Sequence, residues 1–356
     1  MLVIYGAYGY TGQLLCRFAA DYGLRPLLSG RSEPKLRSVA AKYHFDYRVA
    51  DLNKPAELQD LLRDANVVLH AAGPFIHTAR QMHDACLATG THYLDITGEI
   101  PAFAAAAKRG PEAERAGLMF MPGVGFDVVP TDCMAAYLKQ QLPDALELKL
   151  AFAWKGGMLS HGTAKTMLEG LGEPGAIREH GAIKPVPAAY KTAEFPFTAE
   201  KSLTAVTIPW GDVFTAYYTT GIPNIETYFA VPPGQIKQMK RSNSLGWLLR
   251  LKPVKNFLRK RIEKRPAGPN DERRAKAETY VYGEATNVAG KRVAARLRTP
   301  EGYTLTAHTA LEISKRVLAG DFKPGYQTPA GVYGADLILD FEGTHRMEVV
   351  SEEVLS

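Results

Sequence analysis

Three glycines near the N-terminus have a spacing that could hold a phosphate. The turn Gly6-Ala7-Tyr8-Gly9-Tyr10-Thr11-Gly12 follows the apolar run Leu2–Tyr5 and precedes a helical run over residues 13–21. Glycines let the backbone turn tightly and approach a pyrophosphate, whose negative charge is stabilised by the N–H groups at the helix start. The spacing G-x-x-G-x-x-G differs from the usual G-x-G-x-x-G fingerprint, so the interpretation depends on the strands that follow. The turn residues predicted to bind a dinucleotide are Gly6, Tyr8, Gly9, Tyr10, Thr11 and Gly12.

The end of the second predicted strand distinguishes between the two nicotinamide dinucleotides. The strand over residues 25–29 ends in Ser29-Gly30-Arg31-Ser32, and no carboxylate stands at its tip. An Asp or Glu there would bind the ribose hydroxyls of NAD, whereas an Arg beside a Ser suits the 2′-phosphate of NADP. Arg31 also lies about 20 residues after the glycine turn, where this specificity is usually set. We therefore predict NADP as the cofactor, bound by Ser29, Gly30 and Arg31; the alternative is that Arg31 only caps a loop.

Further cofactor contacts are predicted after strands three and four. Asp51 follows the third strand and could reach the adenine amine, or it could cap the helix predicted from Pro55. The fourth strand is followed by small residues, which would let the ribose and nicotinamide lie on the backbone. The predicted contacts there are Ala72, Gly73 and Pro74, and the alternative is a tight turn that needs Gly-Pro.

Carboxylates follow the fifth and sixth predicted strands. Strand five is followed by Gly98 and Glu99, and strand six by Asp127. Because ligands of an open parallel sheet lie outside the carboxyl ends of the strands, these residues should line the nicotinamide. We predict Gly98 as a cofactor contact, and Glu99 and Asp127 as groups that transfer a proton or orient the cofactor amide. Asp95 and Asp132 are interpreted as turn or cap residues.

These residues require a scaffold of two domains. The chain has 356 residues, of which 46% are apolar and 22% charged, as in globular proteins. Strands and helices alternate to about residue 141, which predicts an α/β Rossmann domain with a doubly wound parallel sheet. From about residue 146 the sequence has alternating, Thr- and Tyr-rich segments, which predict an α+β second domain with a mixed or antiparallel sheet. Its predicted strands include residues 202–207, 213–219, 226–230, 278–287 and 292–297. The predicted boundaries are 1–135, 136–326 and 327–356, the last with a helix near 330–339 that returns to the Rossmann domain.

Composition narrows the class of protein further. The first strand starts at residue 2 and no apolar run approaches the roughly 18 residues of a membrane span, so we expect a cytoplasmic protein. The three cysteines are odd in number and widely spaced, which argues against disulfides and a thiolate metal cluster. The nine histidines show no paired ligand spacing, so we expect no metal.

The positive charge of the chain is concentrated in residues 237–276. This segment has fourteen Lys or Arg against three acidic residues, a local charge of +11, so the remainder carries −5 of the total +6. Within it, residues 245–262 mix apolar and basic side chains in a predicted helix that is broken at Pro253. Such a basic amphipathic segment could lie on an anionic membrane, giving a peripheral location, or bind an acidic carrier protein. A core helix with a solvated cationic face is the alternative, and no recognition motif for nucleic acid accompanies the charge.

Five motifs in order resemble the saccharopine dehydrogenase-like oxidoreductases, and more narrowly their trans-acting enoyl reductase branch. They are the glycine turn, Ser29-Gly30-Arg31, Ala72-Gly73-Pro74-Phe75, residues 90–99 and residues 122–127. The resemblance covers residues 1–135, and thinner matches continue beyond, such as Ser160-His161-Gly162-Thr163 and the segment 299–303. It implies a Rossmann domain, a substrate domain inserted before a C-terminal helix, and NAD(P)-dependent hydride transfer.

The second domain offers one candidate for chemistry. Ser160 and His161 precede a helical run over residues 164–171, so hydroxyl and N–H groups could bind a carbonyl or an anion there. Reduction of an enoyl group would require a proton at the α-carbon, and His161, Asp127 or Tyr10 could supply it. We predict an NADP-dependent oxidoreductase of an enoyl or carbonyl substrate, lipid-like or carrier-bound, with Asp127 and His161 catalytic and a homodimer possible. The alternative is a non-catalytic NADP sensor that binds a protein partner.

Overall fold

The computed structural model describes residues 1–349, which divide into two compact units. The first unit contains Met1–Val129 and Tyr303–Val332, and the second contains Pro130–Gly302 and the chain from Tyr333 onward. The strands are β1 (Leu2–Tyr5), β2 (Leu27–Gly30), β3 (Tyr47–Val49), β4 (Val67–His70), β5 (His92–Asp95), β6 (Met119–Met121), β7 (Glu147–Lys155), β8 (Gly175–Glu179), β9 (Ala182–Val186), β10 (Thr192–Pro196), β11 (Ser202–Thr207), β12 (Asn224–Ala230), β13 (Glu278–Thr286), β14 (Arg292–Pro300), β15 (Gly325–Tyr326) and β16 (His345–Val349).

Helices connect these strands. They are α1 (Tyr10–Phe18), α2 (Glu33–Tyr43), α3 (Pro55–Leu62), α4 (Phe75–Thr89), α5 (Ile100–Arg115), α6 (Val129–Gln141), α7 (His161–Glu169), α8 (Asp212–Thr220), α9 (Pro233–Ser242), α10 (Gly246–Leu249), α11 (Lys252–Glu263), α12 (Asp271–Lys276), α13 (Gly302–Leu318) and α14 (Pro329–Tyr333), with short 3₁₀ turns at Ala19–Tyr22 and Leu337–Asp340. Within residues 1–349, no helix has the length and apolarity that crossing a membrane requires.

The first unit is built on a seven-stranded parallel sheet in the order β15-β6-β5-β4-β1-β2-β3. Its central strands β1 and β4 are buried along their whole length, as expected where helices cover both faces of a parallel sheet. One layer of the core packs aromatic and aliphatic side chains such as Tyr5, Tyr93 and Phe120. The strand order reverses between β1 and β4, and ligands of such sheets bind beyond the carboxyl ends of the strands at that point.

The second unit contains a mixed nine-stranded sheet. Its main path is β10-β11-β12-β7-β13-β14-β16, with β8 and β9 joined through β12. The pair β12 and β7 is parallel, whereas the neighbours of that pair are antiparallel. Phe195, Tyr228 and Tyr282 form an aromatic part of its core. The predicted fold class, a Rossmann domain followed by an α+β domain with a mixed sheet, is confirmed.

The strand predicted over residues 213–219 is wrong, because this segment forms helix α8. Its Thr and Tyr residues favour strands intrinsically. However, Val213, Ala216 and Thr220 are buried at helical spacing, and Gly221 ends the helix with a left-handed φ of 70°. Residues 212–216 and Thr220 are all buried, so burial of most of the segment decides the structure against local preference.

Two predicted helices differ in extent from the observed ones. Residues 245–262 form α10 and α11, and the break lies at Arg250 and Leu251 rather than at Pro253. Pro253 occupies the first turn of α11, where a missing N–H costs nothing. The helix predicted near 330–339 is the short α14 followed by a separate 3₁₀ turn, with Gly334 at a φ of 83° between them.

The boundaries between the two units differ from the predicted ones. Residues 303–332 belong to the first unit, although the predicted second domain extends to residue 326. The reason is that β15 adds to the parallel sheet beside β6. The chain from Tyr333 returns to the second unit, where β16 pairs antiparallel with β14.

Candidate active site

The glycine turn after β1 is too closely packed for any side chain at two positions. Gly6 has a φ of 87°, and a Cβ there would lie 2.9 Å from backbone atoms of Ala71 and Ala72. A Cβ at Gly12 would lie 2.3 Å from the Gly6 carbonyl oxygen. The Gly6 N–H donates to the Ser29 carbonyl at 2.8 Å, which fixes the turn beside β2. The turn thereby brings the start of α1 close to the carboxyl end of β1.

The start of α1 has the donors that a pyrophosphate requires. Gly9 is the N-cap and offers no side chain, and the Gln13 N–H makes the bond to the Gly9 carbonyl at 2.9 Å. The preceding amides of Thr11 and Gly12 lie in the first turn, where a helix supplies no internal acceptor. An anion of the pyrophosphate type fits this end of the helix, with the favourable end of the helix dipole behind it.

Aromatic and cationic side chains meet at the end of β2. A Cβ at Gly30 would lie 2.7 Å from the Cε1 atom of Tyr8, so glycine allows the Tyr8 ring to lie against the strand. The Lys35 ammonium lies 5.7 Å from the centroid of that ring. Arg31, next to Gly30, is exposed, as is Lys35.

The cations at the end of β2 are not neutralised by the nearby acid. Glu33 pairs with Arg37 at 2.7 Å, one turn further along α2. Within residues 1–349, neither Arg31 nor Lys35 forms an ion pair. The site therefore has two exposed cations and no competing carboxylate, which is the composition that a phosphate monoester requires.

Ser29 and Asp51 organise the loops at this end of the sheet. The Ser29 hydroxyl is buried and donates to the Arg48 carbonyl at 2.8 Å, which joins β2 to β3. One Asp51 oxygen accepts the Asn53 N–H at 2.9 Å, in a turn that precedes α3. The N-cap of α3 is Lys54, so the capping alternative for Asp51 is wrong, and its contact with adenine stays a prediction.

The loop after β4 is held by a carboxylate from the next loop. The Gly73–Pro74 peptide bond is cis, and α4 starts directly after it at Phe75. The two oxygens of Glu99 accept the N–H groups of Phe75 and Ile76, at 2.9 and 2.8 Å. Glu99 is buried, with an exposed fraction of 9%, and each of its two oxygens accepts a hydrogen bond at the start of α4. Its observed contacts are those of a helix cap.

Asp95 joins the ends of β5 and β6. One of its oxygens accepts the N–H groups of Thr97 and Gly123, each at 2.9 Å, and the other accepts the Tyr93 hydroxyl at 2.5 Å. Burial raises the pKa of this carboxyl to about 6, against the hydrogen bonds that favour its ionised form. This agrees with the interpretation of Asp95 as a turn residue.

Asp127 differs from these two carboxylates in its pKa and its setting. Desolvation, and secondly the negative charge of Glu99, raise its pKa to about 7. Its side chain is half-buried and packs against Gly98, where a Cβ would lie 2.9 Å from the Asp127 Oδ2 atom. Gly98 is therefore needed for the position of Asp127, whatever contact it makes with a cofactor. Such a pKa is suited to proton transfer near neutral pH.

Helix α13 supports the loop that carries Asp127, a role that sequence reasoning missed. The Phe126 N–H donates to the Thr306 hydroxyl at 2.9 Å, and the Thr309 hydroxyl donates to the Val124 carbonyl at 2.8 Å. Both threonines are buried. Their spacing of three residues on one helical face was the available signal. At the start of the same helix, the Tyr303 ring contacts the Tyr10 ring edge-on at 5.1 Å between centroids.

His161 lies in the second unit, at the start of α7. Its Nε2 atom lies 2.7 Å from the Arg265 carbonyl oxygen, so this nitrogen carries the hydrogen and donates it. Its backbone N–H donates to the Ala267 carbonyl at 2.9 Å. The helix starts three residues earlier than the predicted run over 164–171, so Ser160 is its N-cap, and the Ser160 hydroxyl oxygen accepts the Thr163 N–H at 3.2 Å. The observed contacts of His161 thus connect α7 to the segment before α12.

The remaining predicted contacts belong to one edge of the first unit. The glycine turn, the end of β2, the loop after β4 and the Gly98 loop all follow carboxyl ends of parallel strands. Lys35, the capping role of Glu99 and the support from α13 are the features that sequence reasoning missed. The fold and this edge define a Rossmann-type dinucleotide-binding domain of a two-domain chain.

Comparison with known proteins shows what this domain is similar to. The family model for the saccharopine dehydrogenase NADP binding domain matches residues 2–121. Residues 2–121 are therefore similar to saccharopine dehydrogenase-type NADP-binding domains, and the predicted resemblance and cofactor class are confirmed.

Curated relatives are similar over part of their length. The chain is 28% identical over 215 residues to the saccharopine dehydrogenase-like oxidoreductase of Mus musculus, covering 52% of this chain and 50% of that protein. It is 29% identical over 238 residues to the lipid droplet localized protein of Caenorhabditis elegans, covering 59% and 56%. It is 32% identical over 145 residues to the trans-acting enoyl reductase of Mycobacterium ulcerans, covering 38% and 35%. The chain spans about half the length, or less, of these relatives.

Solved structures share the fold over nearly the whole chain. Apo saccharopine dehydrogenase (L-Glu forming) of Saccharomyces cerevisiae superposes with a TM-score of 0.68 at 13% identity, covering 98% of this chain and 99% of that one. The homospermidine synthase of Legionella pneumophila, in complex with NAD, gives 0.63 at 13% identity, covering 97% and 91%. The two-domain architecture is therefore that of saccharopine dehydrogenase-type folds.

Proposed function

We propose that this chain is an NADP-dependent oxidoreductase that reduces an enoyl or carbonyl group. The observation that carries the proposal is Asp127, a half-buried carboxyl with a pKa of about 7 at the same sheet edge as the glycine turn. A dinucleotide-binding domain alone needs no acid that changes protonation near neutral pH. An enzyme that adds hydrogen to a double bond does.

The residues of the first unit divide the work of binding. The first turn of α1 holds the pyrophosphate, and Arg31 with Lys35 holds the 2′-phosphate. The small residues after β4 leave room beside the backbone for the ribose and nicotinamide. When bound, NADPH supplies the hydride. Glu99 and Asp95 keep the loops after β4, β5 and β6 in place around that position.

Asp127 is assigned the proton transfer. In its neutral form it donates a proton to the substrate, and Gly98 leaves the space in which its carboxyl lies. We assign His161 a lesser role, because its Nε2–H donates to the Arg265 carbonyl and is not directed to a substrate in that state. The enoyl class of substrate rests on the relative named as a trans-acting enoyl reductase.

The proposal includes a lipid-like or carrier-bound acyl substrate and a peripheral location. Two observations support it, namely the basic segment 237–276 and the relative described as lipid droplet localized. An acidic carrier protein is a further partner consistent with the charge of that segment, and the proposal also includes a homodimer.

Titration with both nucleotides tests the cofactor assignment. The wild type, Arg31→Ala and the control Lys42→Ala, which removes a cation from the far end of α2, are titrated with NADPH and NADH by calorimetry. Arg31→Ala should weaken NADPH binding by about 1–3 kcal/mol and leave NADH binding nearly unchanged, because only NADPH has the 2′-phosphate. Equal losses for both nucleotides would contradict the assignment, as would a loss of the same size in Lys42→Ala.

A further inference from the structure

Five large apolar side chains are exposed within thirteen residues around α10 and α11. The exposed fractions are 49% for Leu245, 69% for Trp247, 38% for Leu248, 43% for Leu251 and 59% for Phe257. A folded protein seldom leaves several large apolar groups in water at neighbouring positions unless they contact a partner. This segment therefore has the composition of an interaction surface rather than of an ordinary solvated face.

Helical geometry brings three of these side chains together. The break between α10 and α11 begins at Arg250, but Arg250 keeps helical dihedral angles, with a φ of −78° and a ψ of −14°. Residues three and four apart on a helix lie on one side, so Leu248 and Trp247 share a side with Leu251. These three exposed apolar residues lie at the junction of α10 and α11.

The cations of residues 237–261 form two groups with different contacts. Arg250, Lys255 and Arg259 fix the helices to the region of α7 and the turn after it. They donate to the Gly172 carbonyl at 2.9 Å, to the Glu169 carbonyl at 2.8 Å and to the Glu169 carboxylate at 3.2 Å. A second group is exposed and forms no ion pair within residues 1–349. Its members are Lys237, Lys240, Arg241, Lys252, Lys260 and Arg261.

We infer that the surface formed by residues 237–261 binds the face of an anionic lipid bilayer. Trp247, Leu248 and Leu251 would enter the boundary between headgroups and acyl chains, and the unpaired cations would contact lipid phosphates. An acidic protein would account for the cations, whereas a bilayer accounts for the cations and for an exposed Trp and Phe among them. The inference deepens the peripheral location within the proposed function and does not depend on hydride transfer.

Vesicle binding by the full chain tests this inference. The protein is sedimented with vesicles of phosphatidylcholine, and with vesicles of phosphatidylcholine mixed with phosphatidylserine. Because each cation near an anionic surface adds attraction, binding to the mixed vesicles should be at least about tenfold tighter and should weaken with added salt. Trp247 is the exposed one of the three tryptophans, so the emission of the wild type should shift to the blue on binding.

A matched pair of variants locates the surface. Trp247→Ser/Lys252→Glu removes one exposed apolar side chain and reverses one exposed cation of the surface. Val288→Ser/Lys291→Glu likewise replaces one exposed apolar side chain by Ser and one exposed Lys by Glu, in the turn between β13 and β14, where Val288 is 85% exposed. The first variant should bind mixed vesicles roughly tenfold more weakly than the wild type, and the second should bind like the wild type.

Each alternative gives a different result. Equal losses in the two variants, or equal binding to both kinds of vesicle, would overturn the inference. Light scattering measures self-association of the protein. If the wild type self-associates, the first variant does not, and neither binds vesicles, the surface belongs to a contact with a second copy of the chain. NADPH titration of the same variants separates this test from that of the cofactor site. If Trp247→Ser/Lys252→Glu melts at a lower temperature than the wild type, the single variant Phe257→Ser replaces it in the vesicle test. A smaller loss of vesicle binding is expected for Phe257→Ser.

Discussion

The end of β2 and the ends of β5 and β6 use charge in opposite ways. At the end of β2, Arg31 and Lys35 are exposed and form no ion pair within residues 1–349. At the ends of β5 and β6, Asp95 and Glu99 are buried and their oxygens accept hydrogen bonds from backbone and hydroxyl groups. Asp127 lies beside them with a raised pKa.

The difference reflects what each region has to do. Exposed cations lose little solvation and can meet a phosphate that arrives from water, so their contribution depends on the ligand. Buried carboxylates cost free energy unless they are bonded, and once bonded they hold loops in one arrangement before any ligand binds. The first region is suited to recognition, and the second to positioning a single reactive acid.

The largest effect is expected at Asp127. Asp127→Asn should lower kcat by roughly 10²–10⁴-fold, because a carboxamide cannot donate the proton. Since the neutral acid is the active form, kcat/KM of the wild type should fall as the pH rises through about 7. The pH profile of the variant should lack this step, and steady-state rates against pH measure it. An unchanged step in Asp127→Asn would assign the titration to another group.

The same variant gives a prediction on stability. The folded-state pKa of Asp127 is raised above its ordinary value of 3.8 to about 7, so the folded wild type loses stability as the pH rises through this range. Asp127→Asn removes the titration and should therefore gain stability relative to the wild type at pH above 7. Thermal melts at acidic and alkaline pH measure the gain, and an equal difference at both pH values would contradict the raised pKa of Asp127.

The next effect separates two buried carboxylates of neighbouring loops, Asp95 and Glu99. Glu99→Gln should lower the free energy of unfolding by about 1–3 kcal/mol, because one oxygen that accepts an N–H becomes an NH₂ group. Asp95→Asn is the matched control, since its amide can donate to the Tyr93 hydroxyl while its oxygen keeps both N–H bonds. Urea unfolding of the two variants compares them. A greater loss in Asp95→Asn would contradict the capping role of Glu99.

The smallest effect is expected at Lys35. Lys35→Ala should weaken NADPH binding by about 0.5–1 kcal/mol, less than Arg31→Ala, because a lysine is a point charge without the bidentate geometry of arginine. NADH binding should not change, and Lys42→Ala on the same helix is the control. Calorimetric titration at two salt concentrations measures both. Lys35 has no place in the 2′-phosphate site if the loss is the same for NADH.

Local patterns of the sequence predict the first unit well and its supports poorly. The glycine turn and the buried parallel strands are encoded within short windows, so the turn at Gly6 and Gly12 could be predicted from spacing alone, and the role of Arg31 stays a prediction. The contact of Glu99 with Phe75 spans 24 residues, and that of Thr306 with Phe126 spans 180. The local pattern of apolar residues cannot predict contacts between residues so far apart in the sequence. Helix α8 was missed for a related reason, because burial overrides the strand preference of its Thr and Tyr residues.

The path of the chain also sets an order for folding. The first unit receives α13 and β15 only after the whole of Pro130–Gly302 has been synthesised. During synthesis, the loop that carries Asp127 therefore waits for Thr306 and Thr309, and contacts so distant in sequence form slowly. A fragment that stops near residue 135 lacks both threonines and the last strand of the sheet. The acid of this protein is held in position by residues that the ribosome adds more than a hundred positions later.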